Sequence, residues 1–448
     1  MSATLLAAWE KTVRRAPEAV ALIDAATGVT WTRRAIDEAA SAWHVQNGAN
    51  LNGVTVVLAE ANGVGWLTVF IGLLRAGAVI AALDPGEPVV AQQAMSRAIG
   101  AGWRWTGTAL ERVSEKPRRA RDGRRRLLKL TSGSTGTPKA LAFTDAQMLA
   151  DGRQVCASMG IGPEDMNLGL IPFGHSYGLG NLVLPLLQQG SAILANVTPL
   201  PQVLADAVQR WRPTVFPAVP ALLRVLTLAD VPPEKLSSLR TIISAGAPLA
   251  PDVAQAFRAK FGRSVHNFYG SSETGGISYD RTGDAALTGR SVGTPLDGVT
   301  LRWGRGGRFT VASAAVMTLG NRRRSAAGLG EFQMADIGQQ TELGELKLIG
   351  RVGRVVKIAG RRLDLGEVEG AIKGLPGVRD ALVTPYAGRA ESLAAAVATE
   401  RDAEALRAVL REKLAPWKIP KKIVVLPVFP LTARGKTDTA RLRALLGA

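Results

Sequence analysis

The chain has 448 residues, enough for two or three domains with sizeable cores, and its 46% hydrophobic and 21% charged content excludes a disordered or collagen-like polymer. A single cysteine, Cys156, excludes an intramolecular disulfide framework and a cysteine-based zinc site, and three histidines argue against a histidine-rich metal centre. With 55 basic and 37 acidic residues the formal net charge is +18, which favours polyanionic partners and fits a general arginine bias equally well.

The first twenty residues, MSATLLAAWEKTVRRAPEAV, have no basic segment followed by an apolar core, so no signal peptide is expected. Residues 54–59 read as a strand, 66–76 as a helix, and 79–83 as a strand stopped by Asp84-Pro85-Gly86. Arg75 and several glycines interrupt this most apolar stretch. A buried helix–strand pair is therefore expected rather than stable membrane insertion, in a soluble, cytoplasmic protein. Residues 112–126 are strongly basic and read either as a solvated loop or as a docking patch for an acidic partner. Strands follow at 127–130, 193–197, 215–219 and 241–244, with helices at 202–211 and 251–261. Residues 299–303 and 308–311 read as a hairpin. Strand–helix–strand alternation argues an α/β fold with largely parallel sheets. Near residue 350 glycine and charge crowd around short β runs. Beyond it helices at 366–374 and 403–414 and strands at 381–385, 392–399 and 422–426 suggest a smaller α+β unit. The expected division is 1–350 and 351–448.

The strongest local signal is Thr131-Ser132-Gly133-Ser134-Thr135-Gly136-Thr137-Pro138-Lys139, directly after the apolar strand 127–130. Glycines let backbone approach an anion closely, successive N–H groups and hydroxyls can wrap phosphate oxygens, and Lys139 adds a positive charge. The pattern is not that of a P-loop, because Pro138 precedes the lysine and Ala140 follows it.

This stretch resembles the phosphate loop of adenylate-forming enzymes: acyl- and aryl-CoA synthetases, nonribosomal-peptide adenylation domains and luciferases. Four further segments resemble that family's signatures in order. They are Tyr269-Gly270-Ser271-Ser272-Glu273-Thr274-Gly275, then Ala335-Asp336-Ile337-Gly338, then Gly350-Arg351 with Lys357-Ile358-Ala359-Gly360-Arg361-Arg362, and finally Pro430-Leu431-Thr432-Ala433-Arg434-Gly435-Lys436-Thr437-Asp438. The resemblance spans nearly the whole chain. It implies a large N-terminal domain of parallel-rich αβ sheets, a small mobile α+β C-terminal domain, and an acid–thiol ligase.

By that resemblance ATP is held by Thr131, Ser132, Gly133, Ser134, Thr135, Gly136, Lys139, Ala245, Gly246, Ala247, Asn267, Phe268, Tyr269, Gly270, Ser271 and Ser272, with Asp336 and Arg351 at the ribose. Lys436 is the catalytic lysine, joined by Thr135 and by Glu273, which is the Mg²⁺ ligand. His175, Gly246, Gly270 and Gly275 are expected at the acid pocket, although His175 reads as readily as a packed histidine. Lys357, Ala359, Gly360 and Arg361 line the thiol path. The implied partners are a small carboxylic acid and either coenzyme A or the phosphopantetheine of an acidic acyl carrier protein, with no nucleic acid. The chemistry is consistent: attack on an α-phosphorus calls for positioning and charge neutralisation more than covalent work.

The sequence departs from the family at the hinge, where Gly353 replaces an aspartate and Arg354 its neighbour, so the thioester step is less firmly implied than adenylation. The pocket segments 175–180, 216–220, 245–247 and 275–278 carry no acidic residue to meet an ammonium, which favours an aromatic or aliphatic acid over an amino acid. The competing readings are a relative without efficient thioesterification, a non-catalytic nucleotide binder, and a nucleic-acid binder that rests on charge alone.

Overall fold

The computed structural model describes residues 4–83, 85–86, 89–117, 119–120, 125–131, 139–318, 328–352, 354–358, 361–386, 392–431 and 437–447. The chain divides into two compact units. The first comprises Met1–Gly304, Phe309–Gln333 and Gln340–Lys347, and the second Arg305–Arg308, Met334–Gln339 and Leu348–Ala448.

Two sheets build the first unit. In a nine-stranded sheet, Val265–Ser271, Thr241–Ser244, Val215–Ala218, Met166–Leu168, Ala192–Ala195 and Val20–Asp24 run parallel in that spatial order, with antiparallel strands at both edges. The inner strands Thr241–Ser244, Val215–Ala218 and Ala192–Ala195 are buried along their whole length, as a parallel sheet covered on both faces requires. Helices Pro201–Trp211, Pro220–Leu228 and Pro251–Phe261 each begin on a proline, whose missing N–H costs nothing at the first turn. Together they bury Phe216, Leu226, Phe257 and Phe261 in one core.

The six-stranded sheet runs Trp103–Trp105, Thr55–Leu58, Val79–Ala82 and Leu127–Thr131 in parallel, with antiparallel Leu110–Arg112 and Lys139–Phe143 at its edges. The expected helix–strand pair is Val64–Arg75 followed by Val79–Ala82, both mostly buried, with Trp66 stacked on Phe70 at 4.8 Å. No helix among the described residues is long and apolar enough to cross a membrane. In the basic segment 112–126, Arg112, Lys116, Arg119 and Arg125 are exposed, as expected of a solvated loop, and several of its arginines also bind the chain itself. Arg119 donates to the carbonyls of Asn52 and Asn50, Arg112 to those of Ser114 and Glu115, and Arg126 to Asp145 at 3.0 Å. Helix Asp145–Met159 starts on a reciprocal cap, in which Thr144 Oγ1 accepts from Gln147 N and Thr144 N donates to Gln147 Oε1.

At the carboxyl end of Thr55–Leu58, Glu60 Oε2 accepts from Trp105 Nε1 at 2.7 Å. Burial pushes the Glu60 carboxyl up, against the opposing pull of that hydrogen bond. A folded value above the unfolded one of about 4.3 contributes stability at acid pH that is lost as pH rises through the folded value. Glu60→Gln keeps an acceptor for Trp105 and removes the charge. Its melting temperature should therefore exceed that of the wild type by a margin that grows between pH 5 and pH 8; a constant or shrinking margin in melts across that range would contradict the assignment.

The second unit centres on the strands Val378–Pro385, Leu393–Thr399 and Lys422–Leu426. Alternate residues of Leu393–Thr399 serve opposite faces. Leu393, Ala395 and Val397 pack with Ile372 of helix Leu365–Lys373 and with Leu406 and Leu410 of helix Ala403–Lys413, while Ala394, Ala396 and Ala398 pack with Phe429 and with Leu442 and Leu446 of helix Thr439–Leu446.

Candidate functional site

In a parallel sheet the carboxyl ends of neighbouring strands open onto one edge, and ligands of open α/β sheets bind there. In the nine-stranded sheet, adjacent strands end at Ser271, Ser244, Ala218 and Leu168. This brings together parts of four sequence-expected segments: 269–275, 245–247, 216–220 and 172–178. Gly246, at φ +84°, and Ala247 are exposed beyond the buried Ser244, whose Oγ has no hydrogen-bond partner among the described residues. Asn267 is turned inward and donates from Nδ2 to Ser291 O at 3.1 Å. Phe268 is buried, Tyr269 half-buried and Gly270 exposed.

The segment around His175 is held from three sides. Asn62, just past the end of Thr55–Leu58, donates from Nδ2 to Gly169 O and Ile171 O and accepts from Phe173 N at 2.7 Å. Trp66 meets Phe173 edge-on at 5.4 Å. Tyr177, buried, donates from its hydroxyl to Ala218 O and Ile243 O, both at 3.3 Å. Burial pushes the Tyr177 phenol far up, so it serves as a neutral donor. Ser176 Oγ donates to Ser272 Oγ at 3.0 Å, joining this segment to the Tyr269–Glu273 run. His175 caps the short helix Ser176–Gly178, its Nδ1 accepting from Tyr177 N at 3.3 Å. A π-turn, Leu179–Val183, follows at once; such bulges concentrate at functional sites. Asn62 was not legible as a site residue, because its partners lie about 110 positions away in sequence, whereas Tyr177 falls within the expected pocket segment 175–180.

The loop expected to hold phosphates leaves Leu127–Thr131 and returns as Lys139–Phe143. Thr131 pairs with Lys139 across the antiparallel register, so a strand follows it where a P-loop would have a helix. Ser132, Gly133, Ser134, Thr135 and Gly136 lie outside the described residues, as do the side chains of Thr131 and Lys139. Glu273 is half-buried. Its backbone O accepts from Met317 N at 2.9 Å, and its carboxylate has no hydrogen-bond or ion partner among the described residues. Among those residues no group of three or more His, Cys, Asp or Glu could enclose a metal. A single free carboxylate fits Mg²⁺, which takes one or two protein ligands and completes its shell with phosphates and water.

Within the second unit Arg351 Nε stands 3.8 Å from Asp336 Oδ1, and Val352 N donates to Ala335 O at 2.6 Å, so the two residues expected at the ribose face each other. Arg354, one of the hinge departures, is bound into its own unit: its guanidinium pairs with Glu369, and the second Glu369 oxygen accepts from Val383 N at 2.9 Å. Gly353, Ala359, Gly360 and Lys436, and the side chains of Lys357 and Arg361, lie outside the described residues. Cys156 is buried and its thiol is pushed up to about 12 by that burial, so it is inert.

Two family models match the chain: AMP-binding enzyme over residues 109–303 and AMP-binding enzyme C-terminal domain over residues 367–436. The chain is 29% identical over 345 residues to benzoate–CoA ligase of Thauera aromatica, covering 70% of this chain and 64% of that protein. It is also 29% identical over 344 residues to the L-proline–[L-prolyl-carrier protein] ligase of Streptomyces coelicolor, with the same coverage of 70% and 64%. The chain thus spans a little under two thirds of these curated relatives. Among solved structures, o-succinylbenzoate coenzyme A synthetase of Bacillus subtilis in complex with AMP superposes with a TM-score of 0.82 at 21% identity, covering 97% of this chain and 98% of that one. ATP-bound MatB from Rhodopseudomonas palustris gives 0.80 at 20% identity, covering 99% of both chains. At such identities these structures speak for the fold: a large N-terminal sheet domain and a smaller C-terminal domain.

Proposed function

Because the chain belongs to the AMP-binding, adenylate-forming enzymes, we propose that it activates a small aromatic or aliphatic carboxylic acid as an acyl adenylate and then forms a thioester on a pantetheine thiol. In the first step a carboxylate oxygen attacks the α-phosphorus of ATP, the bond to the β-phosphate breaks, and pyrophosphate leaves. The acid is already ionised at neutral pH, so no general base is needed and His175 serves the pocket rather than proton transfer. In the second step the thiol sulfur attacks the acyl carbon and AMP departs.

The observation that carries this reading is the meeting of Ala245–Ala247, Tyr269–Glu273 and the His175 segment on adjoining strand ends of one sheet. There the exposed backbone of Gly246 and Ala247 suits a base edge, and the open Glu273 carboxylate suits Mg²⁺, which when bound neutralises phosphate charge. Residues 1–350 would hold nucleotide and acid, and residues 351–448 would supply Lys436 and the thiol path at 357–361. Relatives that act with coenzyme A and with a carrier protein leave both acceptors in play, and both are polyanions suited to a chain of charge +18. The cytoplasm, where ATP and these thiols are made, is the expected compartment.

Pyrophosphate exchange across a panel of aryl and fatty acids, followed by mass detection of coenzyme A and carrier-protein products, tests both halves. Exchange with some acid and a thioester mass are expected; no exchange with any acid would overturn the proposal. The tie of Arg354 to Glu369 at the altered hinge favours a second reading, adenylation without efficient thioester transfer, which predicts exchange without a thioester.

A further inference from the structure

Lys129 interrupts an otherwise apolar strand and is nevertheless buried, with 3% of its side chain exposed. Its Nζ lies 3.6 Å from Asp151 Oδ2, on a carboxylate only 4% exposed, and 4.5 Å from the centre of the Phe143 ring. The other oxygen, Asp151 Oδ1, accepts from Gly276 N at 3.0 Å. That amide lies where the pairing of Val265–Ser271 with Gly275–Tyr279 shifts register, between the partners of Tyr269 and Gly270. Gly275 adopts φ +74°, and a Cβ there would stand 2.3 Å from Asp151 Oδ1. The carboxylate therefore fills the place of a side chain at the start of this strand, two residues beyond Glu273. Burial pushes the Lys129 ammonium's pKa down, and the charges of Asp151 and Glu273 oppose that shift, so Lys129 also feels the Glu273 carboxylate.

These contacts form a continuous path from the strand that enters the Thr131–Lys139 connection, through a cation and a carboxylate, to the turn that carries Glu273. An apolar pair could fill the same volume, but the Gly276 amide would then lose its acceptor, and a lone carboxylate there would lack a counter-charge. We infer that Lys129 and Asp151 are positioning residues for nucleotide binding, fixing the Glu273–Gly275 turn against the strand Leu127–Thr131 so that both meet the triphosphate in one register. The inference rests on the nucleotide site proposed above and adds a device that the sequence signatures do not contain.

The double variant Lys129→Met/Asp151→Asn removes both charges, while the carboxamide oxygen it introduces would still accept from Gly276 N. The single Lys129→Met strands a buried carboxylate and should melt far lower. Three readouts separate positioning from mere packing: the melting temperature, the Kd for a fluorescent ATP analogue with Mg²⁺, and KM for the acid. The double variant should melt within a few degrees of the wild type and keep its KM for the acid within about twofold, yet bind the nucleotide about tenfold more weakly. Equal nucleotide affinity in the wild type and the folded double variant overturns the inference alone. A wild type that binds no nucleotide overturns the site itself, and the inference with it.

Discussion

Lys436→Ala should lower the turnover of ATP–pyrophosphate exchange by about 10²–10³-fold, the usual effect of removing one preorganised donor from a site of developing charge. In the proposed first step negative charge would crowd between the carboxylate oxygens and the α-phosphate, and an ammonium bridging them would interact more strongly with the transition state than with either ground state. The loss should thus appear in kcat, with KM for ATP little changed. The described residues around Lys436 suit such presentation. Leu431 bridges Thr437 in antiparallel fashion, Asp438 N donates to Pro430 O at 2.7 Å, and the Asp438 side chain caps helix Thr439–Leu446 by accepting from Arg441 N at 3.0 Å. Leu431 and Thr437, the described residues on either side, are thus anchored to each other. A fall in exchange of less than about tenfold would remove Lys436 from the catalytic role. Arginine in its place should recover little, since a planar fork does not reproduce a compact point charge.

The segments expected to carry chemistry could be proposed from the sequence because they are local. Phosphate-loop composition, the run 269–275 and the lysine near the C-terminus are contiguous strings whose order can be read directly. Buried strands such as Thr241–Ser244, and helices that start on proline such as Pro251–Phe261, announce themselves through short-range pattern. Thr144 and Gln147, three apart ahead of an apolar run, were equally readable as the start of Asp145–Met159, yet that helix was not expected. Other features depend on distant partners. A lysine within an apolar strand is an anomaly, but nothing in the sequence says that Asp151 answers it. Asn62 looks like an ordinary loop residue until the fold lays Gly169, Ile171 and Phe173 against it. The basic run 112–126 was legible as a solvated loop, since Arg112, Lys116 and Arg119 are exposed, but the bonds of Arg119 to the chain's own carbonyls and of Arg126 to Asp145 and Ala78 O were not.

Tyr177→Ala should cost the first unit about 3–5 kcal/mol, the range for truncating a buried aromatic side chain, read as a lowered urea midpoint. The ring lies 6.0 Å from that of Phe268, and its hydroxyl spans the ends of Val215–Ala218 and Thr241–Ser244, so the void opens beneath His175 and Ser176. Activity should fall with stability, because the Ser176–Ser272 contact that joins the two sides of the site depends on where this turn sits. Tyr177→Phe separates the contributions: it keeps the packing and removes one donor, so its cost should be about 1 kcal/mol. Ala218 O retains the Ala245 amide at 3.2 Å, which limits that loss further. Because burial pushes the phenol's pKa upward, Tyr177 stays protonated through the alkaline range, and the pH–rate profile of Tyr177→Phe should match that of the wild type up to about pH 10. A basic limb present in the wild type and absent from Tyr177→Phe would mean that the hydroxyl titrates, and hence that the pocket admits water where the fold places a dry wall.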